Sequence, residues 1–153
     1  MRNLLLIAVL LISCNSFAQV NDDNTVKTRL QNKYMQFLRE EGFSPSIDGD
    51  GDVKFKKEGS IYYLRPTKDA LYFKIACWLT NSNNDHSLKI FEAMNKTISN
   101  YKAVQVFLVD DYSDVCIQVS NYMASEDDFK DIFYRLLSIV VDSKSFFLEE
   151  YNK

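Results

Sequence analysis

The chain is 153 residues long and carries a formal net charge of -3 at pH 7, with 18 Lys and Arg against 21 Asp and Glu. Apolar residues make up 46% of it, enough for the modest core of one domain. The acidic balance and the lack of a basic stripe exclude a phosphate-binding protein, and with it nucleic acid as a partner; Lys54, Lys56 and Lys57 are the nearest approach to a basic cluster and read as the solvated face of a strand.

The first predicted element is an export leader. Arg2 precedes an apolar run from Leu4 to Ile12, and Ser16-Phe17-Ala18 has the small-x-small form of a signal peptidase site. Such a run rises only about 14 Å as a helix, short of a bilayer core of about 30 Å, so a permanent transmembrane anchor is disfavoured. Residues 1–18 are therefore read as a signal peptide, 19–24 as a flexible tail and 25–153 as a single domain, located in the periplasm or secreted. A second route overlaps the first: Leu11-Ile12-Ser13-Cys14 resembles a lipobox, and lipidation at Cys14 would make the protein a membrane-anchored lipoprotein. The membrane enters as a partner only on that route.

Val26, Leu30, Tyr34, Phe37 and Leu38 recur at helical spacing, with Asn24 or Thr25 as cap and Gly42 as terminator. The period then changes to two. Residues 43–48, 53–57, 61–65 and 71–79 read as four strands, punctuated by Gly49, Gly51, Gly59 and Pro66. Their short connections require antiparallel pairing. After a polar linker at 81–85, Leu88, Phe91, Met94 and Ile98 supply the expected stripe of a second helix ending near Asn100. Strands at 102–109 and 114–120 follow. Ser125 and Asp128 then resemble a capping pair before a helix whose wide apolar face runs from Phe129 through Phe133, Leu137 and Val140 towards Phe147. The expected fold is α+β, an antiparallel sheet packed with helices in the order α-β-β-β-β-α-β-β-α.

The densest group of ligand-type residues is Asp48, Asp50 and Asp52 in "SIDGDGDVKFKKEG". A calcium loop of the EF-hand type begun at Asp48 would need Gly at its sixth position and Glu at its twelfth, where Val53 and Gly59 stand. The same letters suit a strand reversal, because Asp and Gly tolerate left-handed backbone, and no metal site is assigned. No catalytic or cofactor-binding residue is assigned either. His86, the only histidine, sits at a helix start with no nucleophile in a strained elbow, and the acids Asp110, Asp111, Asp114, Asp127, Asp128 and Asp131 occupy ordinary turns and caps. Cys77 and Cys116 lie in apolar strands without redox spacing; buried free thiols are the favoured reading and one disulfide the alternative.

The aromatic load is unusual. Tyr62, Tyr63, Tyr72, Phe73 and Trp78 all fall in strands, although helices bury only one face of such a sheet; Tyr62, Tyr72 and Trp78 are the candidate protein-binding surface. Homodimerisation through the sheet or the long last helix is the simplest use of it.

"FLREEGFSPSIDGDGDVKFKKEGSIYYLRP" followed by "ALYFKIACWL" resembles the YbjN-like family of small bacterial proteins, labelled sensory transduction regulators. Gly42-Phe43, Ile47-Asp48, Gly51-Asp52-Val53, Phe55, Gly59 and Tyr62 carry the resemblance, which covers roughly residues 26–149. It implies a fold similar to that of type III secretion chaperones, no catalytic residues, and binding to other proteins or to itself. The expected function is a non-catalytic exported protein-interaction module, a homodimer or the partner of an unknown envelope protein. The alternatives are a small envelope hydrolase using surface carboxylates and a structural or ligand-binding envelope lipoprotein.

Overall fold

The computed structural model describes residues 23–80, 88–109 and 114–153. The expected leader with its cleavage site and Cys14, the linker at 81–85, His86, Asp110 and Asp111 lie outside the described residues.

Helix α1 spans residues 23–40, so it begins ahead of both expected caps. It buries Leu30, Tyr34, Phe37 and Leu38, with Val26 half-buried beside them, which is the stripe its sequence spacing predicts. The helix stops because Gly42 takes φ +84°. The Phe43 amide then donates to the Leu38 carbonyl at 2.8 Å and the Gly42 amide to the Arg39 carbonyl at 3.0 Å, a Schellman ending that satisfies carbonyls the helix leaves open.

The strands are β1 (Ser46–Ile47), β2 (Val53–Lys57), β3 (Ser60–Leu64), β4 (Tyr72–Thr80), β5 (Val104–Val109) and β6 (Asp114–Tyr122). They form one antiparallel sheet in the order β1-β2-β3-β4-β6-β5. Between β4 and β5 runs helix α2 (Leu88–Asn100), and helix α3 (Phe129–Tyr151) closes the chain. The fold is thus α+β in the order α-β-β-β-β-α-β-β-α, as expected. β4 and β6 make the longest pairing, from Tyr72↔Tyr122 to Thr80↔Asp114.

The period of two along each strand sends Val53, Phe55, Tyr62, Leu64, Phe73, Ile75, Cys77, Val115, Ile117 and Val119 to one face, where they join the helices in a single core. Its centre is aromatic. Phe129 of α3 meets Tyr34 and Phe37 of α1 edge-on, at centroid distances of 4.9 and 5.1 Å, and lies 5.6 Å from Phe73 of β4. Burying the Tyr34 hydroxyl here pushes its pKa far above the ordinary phenol value, and that oxygen has no hydrogen-bond partner among the described residues. Ion pairs Arg29–Glu126 and Lys33–Asp127 tie α1 to the start of α3. There the Asp128 carboxylate accepts from the Ser125 and Ala124 amides at 2.9 and 3.0 Å, so the expected pair forms its backward half; Ser125 makes no reciprocal bond to a backbone amide and donates its hydroxyl to Asp128 instead.

Helix α2 departs from expectation. It buries Ile90, Ala93 and Thr97, while Leu88 is 72% exposed, Phe91 43% and Ile98 42%. Ile90 and small Ala93 face the core, and on the flank towards α3 Lys96 pairs with Glu150 at 2.8 Å. Thr97 tolerates complete burial because its hydroxyl donates to the Ala93 carbonyl at 2.7 Å. Leu88, Phe91 and Ile98 are left facing outward, while Met94 of the same expected stripe packs against the core.

Candidate functional site: a groove across the uncovered sheet face

No helix among the described residues covers the second face of the sheet. Strand register fixes what stands there. The Trp78↔Cys116 and Cys116↔Phe107 pairs place three side chains in a row across β4, β6 and β5, and Thr80↔Asp114 with Asp114↔Val109 makes the next row. A small side chain between two large ones makes the surface dip. The result is a groove of about 610 Å³ with Cys116 in its floor and Trp78, Phe107 and Tyr63 among its walls.

The turn between β1 and β2 forms one end. The Asp48 Oδ1 atom accepts from the amides of Asp50 at 3.1 Å and Asp52 at 2.9 Å, and Gly51 takes φ +82°. The turn expected from the sequence is therefore present. Helix α1 holds it down: Lys27 donates to the Asp50 carbonyl at 2.7 Å and Gln31 to the Gly51 carbonyl at 2.8 Å. A Cβ on Gly51 would lie 2.8 Å from the Lys27 Nζ atom, so this contact uses both the freedom and the small size of glycine.

Asp52 leaves the turn and is 7% exposed. Its Oδ2 atom accepts from Arg65 Nε at 2.9 Å, and the Arg65 guanidinium carbon lies 5.2 Å from the Trp78 ring centroid. Tyr63 meets the same indole edge-on at 4.5 Å. Burial raises the Asp52 pKa, opposed by the charge and hydrogen bond of Arg65. Burial also raises the pKa of Tyr63, and the charges of Asp48, Asp52 and Asp114 add to the shift, so carboxylates from both ends of the groove act on one hydroxyl. The Cys116 thiol is pushed up to about 11 by burial, which makes it a poor nucleophile.

The expected surface residues separate in space. Trp78 lines the groove. Tyr72 shares the face but stands six residues back along β4, about 20 Å away at strand rise, where it bonds Ser120 Oγ at 2.7 Å and packs on Tyr122 at 4.7 Å. Tyr62 does not belong to the surface: it is 3% exposed, points beneath the helices, and lies under Lys144 of α3. Two adjacent tyrosines give no sign of which faces inward. Pairing Tyr62 opposite buried Phe55 decides it and turns Tyr63 into the groove. Arg65 and Phe107 went unmarked in the sequence, and Cys116 was marked only as a buried thiol, because nothing local shows that three strands place them beside Trp78.

Cys77 and Cys116 are both free and buried. They occupy opposite faces, with Cys77 across from Ile117 and Cys116 across from Trp78, and burial pushes the Cys77 thiol up to about 12. Among the described residues no group of three or more His, Cys, Asp or Glu side chains is placed to hold a metal ion. The described acids are largely engaged: Asp48 by its own turn, Asp52 by Arg65, Asp128 by the amides before α3.

No protein-family profile matches the chain, and no curated protein matches it. Among solved structures it is similar to an uncharacterized protein from Methanothermobacter thermautotrophicus, at 14% identity and TM-score 0.53, covering 80% of this chain and 96% of that one. It is also similar to YbjN, a proposed transcription regulator from E. coli, at 12% identity and TM-score 0.57, covering 79% of this chain and 90% of that one. Identities this low establish a common fold.

Proposed function

We propose that the chain is a non-catalytic, exported protein-interaction module of the YbjN-like type. The observation that carries this reading is the sheet face left open by the described helices, whose groove gathers Tyr63, Trp78 and Phe107 among its walls. A face left half-apolar in a folded domain is the ordinary signature of a docking surface. The leader motif at residues 1–18 supports a periplasmic or secreted location, with anchoring through Cys14 as the second route, and no described helix is long and apolar enough to cross a membrane. The similarity in fold to YbjN agrees with membership of that family.

Self-association draws on a different surface. β5 is an edge strand of sequence VQVFLV, six residues with no charge, proline or bulge to guard it. Beside it α2 presents Phe91 and Ile98. An open strand edge next to an apolar helix flank suits a homodimer better than the long last helix does, since α3 turns its apolar face to the core.

The test is sizing chromatography of the mature protein beside affinity capture from envelope extract. The expected result is a dimer that Phe91→Glu dissociates, and a captured protein that Trp78→Ala loses. A monomer that captures nothing overturns the proposal.

A further inference from the structure

We propose that Arg65 is an acid-released cover on Trp78: the Asp52 carboxylate holds the guanidinium over the indole at neutral pH, and protonation of Asp52 lets it swing away and opens the ring to the groove. Its use as a control on docking rests on the reading of this sheet face as a docking surface; the cover itself stands on the geometry of three side chains.

The pairing of Val53 with Leu64 sets Asp52 and Arg65 side by side at the ends of β2 and β3. Asp52 Oδ2 accepts from Arg65 Nε at 2.9 Å, and the guanidinium carbon lies over the Trp78 ring, 5.2 Å from its centroid. Tyr63 meets the same indole edge-on at 4.5 Å and supports the ring whether or not Arg65 covers it. Arg65 and Trp78 both line the groove, so moving the first alters how much of the second the groove presents.

The motion asks for a side chain alone. The Arg65 amide donates to the Lys74 carbonyl at 3.2 Å, which fixes the backbone past the end of β3. Its side chain is 36% exposed and has water on its open side. An indole holds a half-exposed cation only weakly by itself. The charge-assisted bond to a nearly buried carboxylate is the stronger restraint, and it depends on the charge of Asp52.

The surroundings of Asp52 decide when that charge is lost. Burial raises its pKa, opposed by the charge and hydrogen bond of Arg65; the charge of Asp48 adds to the rise and that of Lys27 opposes it. Protonation therefore comes at a milder acidity than for a free aspartate. The neighbouring charges have other engagements: Asp48 Oδ1 accepts from the amides of its own turn, Lys27 donates to the Asp50 carbonyl, and Lys74 lies over the Tyr72 ring. Lys54 follows two residues on along the same face of β2, and the Asp50 side chain stands at the tip of the turn. Burial raises the pKa values of Tyr63 and Cys116, so both stay neutral while Asp52 titrates.

Trp78 is the only tryptophan, so acrylamide quenching of its emission reads the cover directly. The experiment follows the quenching constant of the mature protein from pH 7 to pH 3.5, over the range in which far-UV circular dichroism shows the fold to be kept. The expected result is a constant that roughly doubles on acidification, with a midpoint above the free-aspartate value of about 3.9. Asp52→Asn and Arg65→Ala should each show a raised constant already at pH 7 and no step, while Asp114→Asn, at the other end of the groove, keeps the parent's step. A flat profile in the parent, a step that survives in Asp52→Asn or Arg65→Ala, or a step lost in Asp114→Asn would each overturn the assignment. If the mature protein captures nothing from envelope extract at pH 7 or pH 5, the interaction reading fails while the quenching profile still decides the cover.

Discussion

Replacing Arg65 by Met removes the cation from Asp52 while keeping an apolar stem against Trp78. The Asp52 side chain is 10% exposed, and its contact with Arg65 Nε at 2.9 Å is the ion pair that stabilises its charged form. Breaking a fully buried pair costs about 3–5 kcal/mol; the Arg65 side chain is 36% exposed and water already screens part of the interaction, so the expected cost at pH 7 is about 1–3 kcal/mol. Burial raises the Asp52 pKa in the folded protein even with Arg65 present, and deleting Arg65 removes the two effects that hold it down. For a carboxyl raised by folding, the stabilising contribution is complete below the unfolded pKa and is lost as pH rises through the folded pKa. The variant should therefore be destabilised most at neutral pH and converge on the parent as pH falls towards 4. Urea unfolding at both pH values measures this, as a midpoint shift with unchanged slope. An equal loss at pH 7 and pH 4 would refute the reasoning and assign the effect to the lost stack on Trp78.

Two further predictions concern the aromatic centre. Phe129→Ala should cost about 3–5 kcal/mol in urea unfolding, because the fully buried ring joins α1, β4 and α3 and its removal leaves a cavity among Tyr34, Phe37 and Phe73; a loss under about 1.5 kcal/mol would show that the cluster collapses to fill the space. Tyr34→Phe should raise the unfolding midpoint, corresponding to roughly 1 kcal/mol of added stability, since it deletes a buried hydroxyl with no partner among the described residues and keeps the ring contacts; a lower midpoint would mean that the hydroxyl is bonded in solution.

The fold was legible wherever one local rule acts alone. Left-handed Gly42, the change of period after it, the Asp-Gly turn and the face of α1 are written in neighbouring letters, because helix ends, turns and one-sided burial depend on residues a few positions apart. α2 shows the limit. Its apolar residues span an arc wider than any one contact buries, so the spacing of Leu88, Phe91, Met94 and Ile98 suggested one inward face, while packing against α3 and β5 selected Ile90, Ala93 and Thr97 and kept only Met94 of the expected stripe against the core.

By itself the sequence determined the class of fold, the element order and the reversal at Asp48–Asp52. It also showed that the strands carry more aromatic rings than one sheet face can bury. Only the tertiary structure decided which rings stay outside. Tyr62 and Tyr63 differ by one step in a two-residue period, and pairing with Phe55 settles their sides. Trp78 lies far along the chain from Phe107 and Cys116, and the three become neighbours only when β4, β6 and β5 pair. Register is a property of the whole sheet, set by the sum of core contacts beneath it, and the groove exists because that register places a cysteine between two aromatic rings.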